Sequence, residues 1–166
     1  MSYITAAALM ALMGTRELNT LITGKLDLMV DDELLAVVIG GGDVGTFQTK
    51  NVAQAQQALT FIEQTIISMS NLMNGYLAER YALPLAPQVI EHSGLPLICS
   101  KLTKYELMLS ADEQAKNDKQ DAMAQLRDIA KGLITLGGNS AQAVTTSSHS
   151  RVCRPHGKSL TDGFGR

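Results

Sequence analysis

Between residues 51 and 81 apolar side chains return at every third or fourth position: Val52, Ala55, Leu59, Ile62, Ile66, Met69, Met73 and Tyr76. This spacing matches the 3.6-residue helical period and predicts one long helix over about residues 51–81. Phe61, Ile67, Leu72 and Leu77 widen the stripe beyond a two-position seam, so the helix is expected to pack against several others at the centre of a domain. Pro84 and Pro87 close it, because proline lacks the amide donor and biases the preceding residue away from helix. A rigid extended corner is expected there, after which the chain turns back.

Shorter periodic runs flank this helix. Thr5 before AAALMALM, with Gly14 after it, reads as a capped helix; Thr15 can cap a second through Glu17, Leu18 and Leu21. Residues 25–31 read as a connector. Asp32 and Glu33 suit the N-terminus of a helix carrying Leu34, Leu35, Val37, Val38 and Ile39, and Gly40, Gly41 and Gly42 end it. Pro96 suits the first turn of a helix with Ile98, Leu102, Tyr105 and Leu109 at helical spacing. Ser110 with Glu113 has the capping-box pattern for a last helix, whose face holds Met123, Leu126, Ile129 and Ala130 and which stops at Gly132. The pattern gives an all-α fold: a compact helical domain over residues 1–136 with one long central helix.

From residue 137 the composition shifts to Gly, Ser, Thr, Asn and Gln, with few large apolar side chains before Leu160 and Phe164. Such a stretch buries too little to offset an ordering entropy of about 1–2 kcal/mol per residue. Residues 137–166 are therefore expected to form an extended tail that orders only against a neighbour. Charge divides at the same place. Arg151, Arg154, Lys158 and Arg166 face Asp162 alone, a local +3, so residues 1–144 carry −5 of the net −2. A short basic tail of this strength seeks an acidic surface, and protein serves as well as nucleic acid.

Composition changes the picture little further. Trp is absent and Met numbers eight, which suits closely packed helices. Cys99 and Cys153 make no disulfide framework, no stretch reads as a signal peptide, and none has the roughly 18 uncharged apolar residues of a membrane span. Synthesis in the cytoplasm as a soluble protein is expected.

Candidate chemistry is sparse. Gly40, Gly42 and Gly45 fit G-x-G-x-x-G after an apolar LLAVVI run, with Glu63 about where a ribose-binding acid would stand. A dinucleotide fold needs several further strands, however, and everything after residue 51 has helical period. His149, Cys153 and His156 supply three zinc-ligand types where a structural site needs four. His92, beside Ser93 and Gly94, reads as a loop histidine. No Ser or Cys sits in a nucleophile elbow, and Asp31, Asp32 and Glu33 point in different directions and serve the helix dipole. No catalytic residue, metal site or cofactor is assigned, and an enzyme is not expected.

Residues 74–85, NGYLAERYALPL, resemble a motif of the Mu-like phage family of head-completion or neck proteins, in which a long helix ends in a YLA-x-RY-x-LPL pattern. The matching residues are Tyr76, Leu77, Ala78, Arg80, Tyr81, Leu83, Pro84 and Leu85. Tyr3, Ile4 and Thr5 are similar to the family's start and ELNTL, residues 17–21, to its next short helix. LICSKLTKYELM (97–108) and AQLRDIAKGLITLG (124–137) are similar to its later helices, and residues 151–164 to its basic, Phe-containing end. The glycine-rich loop and VIEHSG, residues 89–94, look like insertions.

The resemblance implies a non-enzymatic virion protein: a head–tail connector, or neck adaptor, made in the bacterial cytoplasm. It would form a ring with copies of itself, twelve-fold like the family's portals, beneath the portal protein. It would offer a surface to the next neck or tail-terminator protein, while DNA passes its channel without sequence-specific contacts. Tyr76, Arg80, Tyr81 and Pro84 are expected to build the structural corner, and Arg151, Arg154, Lys158 and Phe164 to contact partners. The rival reading is a small helical nucleic-acid-binding or regulatory phage protein, which would need a basic helix face.

Overall fold

The long apolar seam forms α4 (Thr49–Leu77), 29 residues and so about 43 Å long, the longest helix among the described residues. A computed structural model describes residues 2–136 of the chain. Before α4 come α1 (Ala6–Met13), α2 (Thr15–Leu26) and α3 (Asp32–Gly40); after it come α5 (Pro87–Glu91), α6 (Leu95–Leu107) and α7 (Glu113–Lys131). No strand occurs among the described residues, and none of their helices is long and apolar enough to cross a membrane. The fold is all-α.

α4, α6 and α7 pack on one another, α1 and α3 also pack on α4, and α2 and α5 pack on α6. Ile62, Met73 and Leu77 of α4 meet Leu102 and Leu107 of α6 and Leu126 of α7 in one core, each with essentially no exposure. Fully burying such a side chain contributes roughly 1.5–3 kcal/mol. The predicted stripe is buried or half-buried along its seam, yet two of its widening residues are not covered: Ile67 is 52% exposed and Leu72 39%.

Most helix ends follow local chemistry. Thr5 accepts the Ala8 N–H (3.1 Å), and Asp31 accepts those of Glu33 (2.9 Å) and Leu34 (3.3 Å). Gly41 and Gly132 end α3 and α7 in the left-handed conformation. LLAVVI is therefore helix, which removes the strand that a dinucleotide site requires before the glycines.

Several boundaries differ from the sequence reading. α2 runs on to Leu26, shortening the connector, and its N-cap position is held by Gly14, with Thr15 already helical. α4 stops at Leu77, four residues early, and a turn carries residues 78–80. The corner is not wholly extended, since Pro87 opens the one-turn α5, where a missing N–H costs nothing. Asp112, not Ser110, caps α7, its carboxylate accepting the Ala115 N–H at 2.7 Å. α6 consequently ends at Leu107, and Leu109 lies outside both helices, 73% exposed.

Candidate interaction site: the corner where the chain leaves the body

The turn after α4 is closed by the Leu77 carbonyl, which accepts the N–H groups of both Arg80 (3.1 Å) and Tyr81 (2.8 Å). Buried Leu77 and Leu85 pin its two sides to the core. From this turn two side chains reach the end of α7. The Tyr81 hydroxyl accepts the N–H of Leu136 at 3.0 Å, tying down the last described residue. The Arg80 guanidinium lies against Gly132, so close that a Cβ there would overlap Nη1. It thus sits at the negative end of the α7 dipole, a placement that contributes about 0.3–1 kcal/mol.

Gly132 serves the site in two ways. Its φ of +79° lets the Leu133 and Ile134 N–H groups return to the Asp128 carbonyl (2.8 and 3.3 Å), which closes α7. Its missing side chain leaves room for the guanidinium. Arg80 Nε is buried and finds no acceptor among the described residues. Leu83, Leu133 and Ile134 stand exposed on the same two segments.

The other end of the 74–85 stretch holds the start of the chain. Asn74 accepts a short hydrogen bond from the Tyr3 hydroxyl through Oδ1, and Ser70 Oγ, one turn earlier, accepts the Tyr3 N–H at 3.2 Å. Cys99 Sγ lies 3.8 Å from Ser70 Oγ and 4.0 Å from Thr103 Oγ1. Burial pushes the Tyr3 phenol up to about 12, with the charge on Cys99 a smaller cause. Burial likewise raises the Cys99 thiol, against the lowering effect of its bonds to Ser70 and Thr103. A protonated thiol enclosed in this way is a poor nucleophile, so the cluster is a clasp between α4, α6 and the N-terminal segment.

Of the corner residues expected from sequence, Arg80 and Tyr81 come together on α7. Tyr76 is half-buried one turn earlier against the core, and Pro84 is exposed, following a cis peptide bond from Leu83. The expected partner contacts Arg151, Arg154, Lys158 and Phe164 lie outside the described residues, as do His149, Cys153 and His156. His92 ends α5, its Nδ1 2.9 Å from the Gln88 carbonyl. No cluster of three or more metal-ligating side chains occurs among the described residues.

The stretch that carries the sequence resemblance therefore joins three parts of the body. Over residues 3–154 the chain matches the family described as Bacteriophage Mu, Gp36. The chain belongs to that family. The Mu-like prophage FluMu protein gp36 of Haemophilus influenzae is 36% identical over 93 residues, which cover 54% of this chain and 57% of that protein. No solved structure matches.

Two further residues of the Gp36-family corner, Gly132 and Leu136, were not singled out as site residues by sequence. Gly132 announces itself as a helix stop, but its contact with Arg80 depends on how two distant helix ends meet. Asn19 of the ELNTL run is a similar case. Its amide donates to the Val30 carbonyl (2.8 Å) and to the Asp32 carboxylate, fixing the link from α2 to α3.

Proposed function

We propose that this Gp36-family chain is a non-enzymatic structural protein of a Mu-like phage particle: a head–tail connector that assembles as a ring beneath the portal and presents a face to the next neck or tail component. The observation that carries this reading is the reach of the family match, which runs through the helical body and past Leu136 into the basic segment. A body whose exit is fastened at Tyr81 and Arg80, followed by a segment with little to bury, suits a subunit that grips its neighbour with that segment. Ring size follows the twelve-fold portals that the resemblance implies. The virion neck is its proposed location, and residues 1–136 and 137–166 are its proposed body and gripping tail.

The rival nucleic-acid reading finds less support in the body. Lys101, Lys104, Lys116 and Lys119 on α6 and α7 each face a carboxylate, from Asp118, Glu17, Glu113 and Glu106. The charge of these four is thus largely matched, which weakens the case for a basic face built from them. Electron microscopy of particles made without this protein tests the proposal. Filled or leaking heads separated from complete tails are expected; intact particles would refute it.

A further inference from the structure

An apolar groove of about 400 Å³ opens between the N-terminal segment, α1, α5 and the start of α6. Ile4, Leu12, Pro87, Ile90 and Pro96 line it, and the exposed Glu91 stands among them. A second hollow, of about 250 Å³, shares Ser2, Ile4 and Thr5 with the first and extends the same surface to Ile66, Ile67 and Glu63 of α4. The two meet along Ser2, Ile4 and Thr5 and form one band, mostly apolar in the first part and mixed in the second, with a carboxylate in each. Leu12 is 59% exposed and Ile67 52%. Both stand on the rim of this band, where a partner could cover them together.

We propose that this band is the dock for the C-terminal segment of a second copy of the chain, with Leu160 and Phe164 as its apolar anchors and Arg154, Lys158 and Arg166 facing Glu63 and Glu91. The inference rests on the ring reading above and names the surface that receives the gripping segment. Composition matches on both counts. The segment's large apolar side chains are few and gathered toward Leu160 and Phe164, with the basic residues interleaved, and the band sets apolar side chains beside two carboxylates, Glu63 and Glu91. Its net charge is +3 over residues 145–166, against −5 for residues 1–144.

Length allows the segment to reach a second copy. The exit is fastened beside the C-terminal end of α4, and Ile66 lies eleven residues back along that helix, only about 16 Å away. From Leu136 to Leu160 the chain can span roughly 80 Å when extended. The body is at least about 43 Å long, the length of α4. The segment can therefore reach past its own body to the corresponding groove of an adjacent one, which the ring reading places beside it.

The test uses the full-length chain at micromolar to millimolar concentrations, half of it labelled with 15N, carrying photoreactive benzoylphenylalanine in place of Phe164. Oligomers are measured by native mass spectrometry and cross-links mapped by peptide mass. Expected are closed oligomers whose cross-links join labelled to unlabelled chains and land on residues 2–12, 63–67 or 87–96. Leu12→Asp and Phe164→Ser should each weaken association roughly tenfold or more while leaving the helical circular dichroism unchanged. Closed oligomers cross-linked elsewhere, or only within one chain, overturn the dock and leave the ring reading standing. Monomers at every concentration overturn the ring reading and the dock together.

Discussion

At Gly132 two separate demands fall on one residue: a left-handed backbone and an empty side-chain position beneath the Arg80 guanidinium. Gly132→Ala should lower stability by about 1–3 kcal/mol in urea unfolding, from backbone strain together with displacement of Arg80. Adding Arg80→Ala removes the steric part alone, so the double variant should lose less than the two single losses added together. Strict additivity would separate the two residues energetically and contradict the contact. Tyr3 makes a pH-dependent prediction. Tyr3 is 4% exposed, and burial pushes its phenol up to about 12 in the fold from an ordinary 10.0. Its contribution is complete below pH 10; between 10 and 12 the unfolded chain has released a proton that the folded chain still holds, so stability falls as pH rises. The urea midpoint should drop over that window more steeply in the wild type than in Tyr3→Phe, and equal slopes would argue against the buried phenol.

Among the elements, α4 was the most legible in sequence, because a period of three and four held over many turns has no other reading. The local ends at Thr5 and Gly132 were legible for the same kind of reason, each being decided within four residues, whereas Asp31, read as connector, caps α3. The cap of α7 shows where that reasoning slips. Ser110 and Glu113 have the right spacing for a capping box, but Asp112 stands directly before Glu113 and its charged oxygen is the better acceptor for the first-turn amides. Asp112→Ala should cost about 1 kcal/mol, and Ser110→Ala less than about 0.5 kcal/mol; the reverse order in thermal unfolding would restore the Ser110 cap. α5 was hidden because one turn of helix has no periodicity to display. The partners of Arg80, Tyr81 and Asn74 were hidden because they depend on packing between segments far apart in sequence. The same dependence left Ile67 and Leu72 indistinguishable from the covered members of their stripe.

At the scale of the molecule, one stretch of sequence organises three chain segments. Residues 74–85 hold the N-terminal segment through Asn74, end the central helix, and fasten the exit of α7 through Arg80 and Tyr81. Loss of residues 145–166 should therefore leave the body folded, with helical circular dichroism and thermal unfolding close to the full chain, while complementation with that truncated protein yields no joined particles. Normal particle yield would remove the segment from the account. The central claim, a connector ring at the neck, is met most directly by cryo-electron microscopy of the intact particle. The account predicts copies of this seven-helix body repeated in a closed ring beneath the portal; a neck resolved without that body would contradict it.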